Sequence, residues 1–198
     1  GCDQTLFVTV YAWGPQESRF VRSVRSTPLP DGTPADSVAM AIETDAGVDV
    51  VISQIEPCDL SLETPSGTVH TDARFAALLA GDGGFGEATV VGGSRLQAGE
   101  ILIEDNRAAY KGEIRSAHSE AGDSWFVVLA EAIDGASPVG NCMFVTDTDG
   151  VRHAYPIRDV RASSEGDRVY TKVGHVGFEA CEASTWEIPV TVHRSREN

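Results

Sequence analysis

The sequence predicts an all-β fold, an antiparallel β-sandwich of roughly 14–16 short strands. Three observations predict it. Runs of β-branched and aromatic residues recur along the whole chain between clusters of Gly, Pro, Asn and Asp. Glycine is frequent (20) and proline moderate (9), as tight turns between many strands require. No segment carries a helical period long enough for a β-α-β unit. The 198 residues fit one β-sandwich-like domain, 1–198, with a soft boundary near 104–107. One extended sandwich or two packed β-units both satisfy the pattern.

The elements follow in order. TLFVTVYAW (5–13) reads as a strand that Gly14-Pro15 ends. RFVRSVRS (19–26) alternates, and PLPDGTPAD (28–36) is a loop of breakers. SVAMAIET (37–44) and VDVVISQI (48–55) flank a short turn and read as a hairpin. DLSLETPSGTVHTD (59–72) holds two strands around Pro65-Ser66-Gly67.

Residues 73–80 are ambiguous. Asp72 as an N-cap, the Ala and Leu residues and Gly81 as a C-cap all suit a helix. At period 2, however, Phe75, Ala77 and Leu79 share one face and Ala76, Leu78 and Ala80 the other. A helix of eight residues is marginal, because nucleation is costly and few bonds repay it. The glycines of GDGGFG supply hairpin-loop conformations, and EATVVGG makes a partner strand. The expectation is a hairpin.

Downstream, SRLQAGEILIED gives two strands around Ala98-Gly99. AAYKGEIRSAHS (108–119) alternates, and DSWFVVLAE (123–131) is a strongly apolar strand. NCMFVTD (141–147) and VRHAYPIRDVRA (151–162) form a hairpin about Asp149-Gly150. DRVYTKV (167–173), HVGFEA (175–180) and WEIPVTVHR (186–194) close the chain as three strands.

Thirty acidic residues against fifteen basic give a net charge of −15. Phosphate binding needs clustered Lys and Arg, so nucleic acid is a poor partner, as is an anionic membrane face. The bases are almost all arginine, Lys111 and Lys172 being the only lysines. This balance fits a salt-adapted or high-GC source and simple solubility equally. No apolar run approaches the roughly 18 residues that span a bilayer, so a transmembrane helix is not expected. Gly1-Cys2 resembles the end of a bacterial lipoprotein signal, with Cys2 as the lipidated residue; a domain start explains it equally. Cys2, Cys58, Cys142 and Cys181 contain no CxxC pair, which excludes a zinc ribbon. They suit one or two disulfides in an exported protein, or buried thiols.

The succession TLFVTVYAWGP, VAMAIETDAGVDVVISQ, GTVHTDARFAALL, ATVVGGSRLQAGE, AYKGEIRSAHS, CMFVTDTDGVRHAYPIRDV and VGHVGFE is a further signal. It contains the phrases F-x-T-V at Phe7–Val10 and T-D-x-R-F at Thr71–Phe75. G-G-x-x-L at Gly92–Leu96 and Y-x-G-x-I at Tyr110–Ile114 complete it. It resembles the C-terminal β-sandwich region of heparinase II/III-like polysaccharide lyases. The resemblance implies a non-catalytic accessory domain, exported or cell-surface, that braces a helical catalytic domain or contacts polysaccharide. That family's catalysis, by Tyr and His on a uronic acid, belongs to a helical toroid with no counterpart in these residues, so no catalytic position carries across. No cofactor is implied. The alternatives are a free-standing secreted or surface β-module binding a glycan or protein, and a small lyase.

Candidate chemistry is sparse. His70 and Asp72 lie two apart and can form an oriented general base, or an ordinary polar pair at a hairpin end. His153 and Tyr155 share a strand face and are the acid/base pair of a lyase, with Arg152 and Arg158 to neutralise a carboxylate. An ordinary alternating strand explains the same residues. His118 and His193 read as surface residues. Asp147-Thr148-Asp149-Gly150 resembles the front of a calcium loop without its distal Glu, so Asp147 and Asp149 are weak metal candidates beside a plain hairpin turn. Trp13, Trp186 and Tyr155, with Trp125 as core, are candidates for a sugar-stacking platform. Trp186, next to Glu187, is the one expected to be exposed. Ser94 has no nucleophile-elbow context.

Overall fold

The computed structural model describes residues 21–104, 107–120, 124–133, 138–171 and 184–196. Among them there are sixteen strands and no helix, so the protein is all-β. The strand reading of 5–13 and that of 175–180, with Cys2, Tyr11, Trp13 and Cys181, lie outside the described residues. The chain divides into two compact units, residues 1–108 with 191–198, and residues 109–190.

The first unit is a sandwich. Its larger sheet contains β1 (Val21–Ser26), β2 (Ser37–Thr44), β3 (Gly47–Gln54), β6 (Phe75–Gly81), β7 (Gly84–Val91) and β16 (Thr191–Ser195), in the order β1-β2-β3-β6-β7-β16. The smaller sheet contains β4 (Leu60–Thr64), β5 (Gly67–Thr71), β8 (Arg95–Ala98) and β9 (Ile101–Glu104), in chain order. Every pairing is antiparallel. Period-2 alternation turns Val50, Ile52, Leu78 and Val90 of one sheet toward Leu62, Val69, Leu96 and Ile103 of the other, and all eight are buried. Each such side chain contributes roughly 1.5–3 kcal/mol by leaving water.

Residues 73–80 are a hairpin arm. Ala76, Leu78 and Ala80 are buried while Phe75, Ala77 and Leu79 face outward, so the period is 2. β6 pairs with both β3 and β7, and that tertiary pairing overrides the local helix preference of Ala and Leu. At the hairpin end, a Cβ on Gly81 would stand 2.9 Å from the Gly86 Cα, so the two arms meet only as glycines.

The second unit is a closed six-stranded barrel, ordered β10-β11-β14-β13-β12-β15. Its strands are β10 (Ala109–Glu120), β11 (Ser124–Leu129), β12 (Cys142–Thr146), β13 (Arg152–Arg161), β14 (Arg168–Thr171) and β15 (Thr185–Pro189). Closure rests on the two long strands. β10 pairs with β15 through residues 109–113 and with β11 from Ile114 onward, the latter pairing breaking register between Ile114 and Ser116. β13 does the same with β12 and β14, its irregularity lying between Ile157 and Asp159. A bulge bends a strand and sharpens its twist, which lets one strand serve both walls of a small barrel. Ile114, Val127, Leu129, Met143, Val145, Tyr155, Ile157, Val169, Trp186 and Ile188 fill the interior.

WEIPVTVHR is not one strand. It divides after Pro189: β15 closes the barrel, and β16 joins β7 as the last strand of the sandwich's larger sheet. Residues 109–190 are therefore inserted between β9 and β16 of the first unit. No helix among the described residues is long and apolar enough to cross a membrane.

Candidate functional site

The residues singled out in the sequence are mostly engaged in structure. The His70 side chain is exposed, on the face opposite buried Val69 and Thr71. Asp72 does not orient it. Its carboxylate accepts from the Ser94 amide (2.8 Å), the Arg95 amide (2.9 Å) and the Ser94 hydroxyl. The expected His70–Asp72 base is thus replaced by a cap over the start of β8. Asp72 sits beyond the end of β5, where the chain turns and the amides of β8 need an acceptor. Ser94 serves the same cap.

His153 and Tyr155 do share the inward face of β13, with ring centroids 6.4 Å apart. The partner that joins them is Asp147, whose Oδ2 lies 3.2 Å from His153 Nε2. Asp147 also accepts from the amides of Asp149 (3.0 Å) and Val151 (2.8 Å). Those backbone bonds, Val151's first, and the His153 bond hold its carboxyl below the usual carboxylate range. Tyr155 is buried; burial first and the Asp147 charge second push its phenol up. That direction opposes proton abstraction, which needs an accessible phenolate. Arg152 does not neutralise a substrate beside them. On an alternating strand it faces outward, where it bonds Glu187 (2.9 Å) and lies over the Phe144 ring at 4.3 Å. The 147–150 segment is a hairpin turn whose Asp147 is committed to its own backbone. Among the described residues no three His, Cys, Asp or Glu side chains gather to hold a metal.

Trp186, expected to be exposed, is 2% exposed and sits in the barrel core. Its Nε1 donates to the Glu113 carbonyl at 3.1 Å. Its register opposite Gly112 leaves the space for an indole, which the polar neighbour Glu187 concealed in the sequence. With Tyr155 also buried, neither offers a sugar-stacking face. Trp125 is half-buried and belongs to none of the core clusters. His118 and His193 are exposed, as read. Cys58 and Cys142 are free thiols; burial raises the Cys142 pKa.

Sequence reasoning missed the most organised polar face, on the outside of the barrel. Because Val127, Leu129 and Val169 point in, Phe126, Val128 and Tyr170 point out. Phe126 pairs with His118 on one side and Tyr170 on the other, placing the three rings in one row across β10, β11 and β14. The Phe126 and Tyr170 centroids are 5.1 Å apart, and those of His118 and Phe126 5.2 Å. Arginines cover this row. The Arg161 guanidinium lies 4.4 Å from the Tyr170 centroid, Arg158 lies 5.8 Å from the same ring, and Arg168 lies 5.2 Å from Phe126. Arg161 and Arg168 oppose one another directly. Asp159 accepts from Arg161 Nε (2.8 Å), Glu165 stands 3.6 Å from Arg168, and Arg115 donates to the Glu165 carbonyl.

The sandwich carries a different surface. Val24, Met40, Val51, Phe75, Leu79 and Val91 lie on the outer side of its larger sheet, and none belongs to the core cluster. Val24 is 39% and Phe75 37% exposed. These side chains span five strands, and Glu87, opposite Leu79, and His193, opposite Thr89, lie on the same side toward the β7–β16 edge.

These features define an all-β protein built of a sandwich and an inserted barrel, with one apolar and one arginine-rich face. No protein-family model, curated protein or solved structure matches the chain.

Proposed function

We propose that this chain is a non-catalytic accessory β-module of a carbohydrate-active protein of the heparinase II/III-like kind, exported or surface-associated, which braces a helical catalytic domain. The observation that carries the reading is the apolar outer face of the sandwich's larger sheet. An apolar sheet face presented to solvent costs free energy until another body covers it, and interfaces between domains are built on such faces. The order of strand phrases from Phe7 to Ile114 supports the kinship. The inaccessible Tyr155, with its raised pKa, supports a non-catalytic role over a lyase using His153.

The test is co-sedimentation of this chain with a separately expressed helical domain of a heparinase II/III-like lyase. The wild-type chain is expected to co-sediment, and Val51→Lys with Phe75→Asp is expected to abolish the complex while the strand-type circular dichroism is kept. Failure of the wild type to bind, or equal binding by the variant, defeats the reading. The chain alone is expected to generate no unsaturated uronate, seen by ultraviolet absorbance, from acidic polysaccharides. Turnover lost in His153→Ala would favour the lyase instead.

A further inference from the structure

The barrel's arginine-covered face is at odds with the electrostatics of the chain. With 30 acidic and 15 basic residues, the sheet has ample carboxylates to set opposite its arginines. Asp159 bonds Arg161 and Glu165 stands 3.6 Å from Arg168, yet across the strand pair Arg161 stands directly opposite Arg168, an arrangement that destabilises an antiparallel pair. A third guanidinium, Arg158, shares the Tyr170 ring with Arg161. Arg168 Nε is buried and has no hydrogen-bond acceptor among the described residues, a further cost for a charged donor. The rings beneath are themselves buried, Tyr170 at 2% and Phe126 at 6% exposure. They act as a floor that holds the guanidinium groups in place, which reduces the entropy lost on binding.

We propose that Arg158, Arg161 and Arg168 form a binding site for a tetrahedral oxyanion carried as a sulfate or phosphate monoester. A carboxylate has two oxygens, which one guanidinium fork satisfies. Three guanidinium groups over adjoining rings match a group with three terminal oxygens. The anion would separate the Arg161 and Arg168 charges. Asp159 and Glu165 border the site and limit its affinity for highly charged polymers, as does the net charge of −15. This inference stands on the barrel face alone and is independent of the accessory-module reading, which rests on the sandwich.

Isothermal titration at constant ionic strength tests it, with inorganic sulfate, inorganic phosphate, glucose 6-sulfate, glucose 6-phosphate, and acetate and glucuronate as carboxylate controls. The expected result is saturable binding of the sulfate or phosphate compounds, at least about tenfold tighter than of the carboxylates. Arg161→Gln with Arg168→Gln is expected to remove it, and Arg22→Gln, on the sandwich, to leave it unchanged. Should the double variant fail to fold, Arg168→Lys keeps the charge and loses the fork, and is expected to weaken binding about tenfold. Phosphate esters gain charge as pH rises through about 6, and sulfate esters do not. Binding that strengthens over that range identifies phosphate, and pH-independent binding identifies sulfate. No saturable binding, equal binding of glucuronate, or undiminished binding by the Arg168→Lys and double variants overturns the proposal.

Discussion

Trp186 donates its indole N–H to the Glu113 carbonyl, 3.1 Å away, across the β15–β10 pair that closes the barrel. The indole is buried beside Ile188 and Ile114, so the contact joins hydrophobic volume to a satisfied polar group. Trp186→Phe should destabilise the barrel by about 1–3 kcal/mol, because the carbonyl loses its donor and volume is lost. Trp186→Ala should cost about 3–5 kcal/mol. Urea denaturation followed by circular dichroism measures both, and wild-type stability in Trp186→Ala would contradict the burial.

Gly93 lies against Ala73, and a Cβ there would stand 2.6 Å from the Ala73 Cα and 3.0 Å from its nitrogen. The obstruction is backbone, which no rotamer change relieves. Gly93→Ala should therefore destabilise the sandwich by about 1–3 kcal/mol through overpacking. Thermal unfolding checks this, with Gly99→Ala as a contrast: no heavy atom approaches that position, and its φ of 59° makes strain alone responsible for any loss.

Asp72 and His70 should separate in a mutational test. Asp72→Ala strips two backbone amides and the Ser94 hydroxyl of their acceptor and should cost about 1–3 kcal/mol. His70→Ala touches an exposed side chain and should stay within about 0.5 kcal/mol of wild type. Equal losses would mean the two residues act as a pair after all.

The Asp147–His153–Tyr155 group sets a pH signature at both extremes. The Asp147 pKa is depressed in the folded state, so its contribution is complete above the ordinary carboxylate range and is lost as pH falls through the depressed value. The Tyr155 pKa is raised, so its contribution is complete below the ordinary phenol range and is lost as pH rises, when the unfolded chain ionises first. Asp147→Asn should flatten the acid limb and Tyr155→Phe the alkaline limb of a stability–pH profile. Phenolate absorbance of Tyr155→Phe should lose a component that ionises above the ordinary phenol range.

Several elements were legible in the sequence because their signals are local. Asp149-Gly150 between two alternating runs specified the β12–β13 hairpin, and the glycines after Ala80 specified the turn of β6–β7. The arginine–aromatic face was not legible. Its residues at 118, 126, 158, 161, 168 and 170 lie on four strands, and they meet only because β14 inserts between β11 and β13. An outward aromatic beside an inward valine, as in Phe126-Val127 and Val169-Tyr170, is the trace it leaves. Trp186 was misjudged for a related reason: adjacent Glu187 faces the other side of the strand, so its polarity says nothing of the indole's surroundings.

The sequence by itself determined that this protein is all-β, where most turns fall, and that its strands alternate between two faces, since period and turn chemistry are short-range properties. The tertiary structure alone decided the closed barrel, its insertion into the sandwich, and the division of WEIPVTVHR between them. Strand partners are chosen by packing over long sequence separations, and a uniform apolar alternation carries no record of which edge each half will meet.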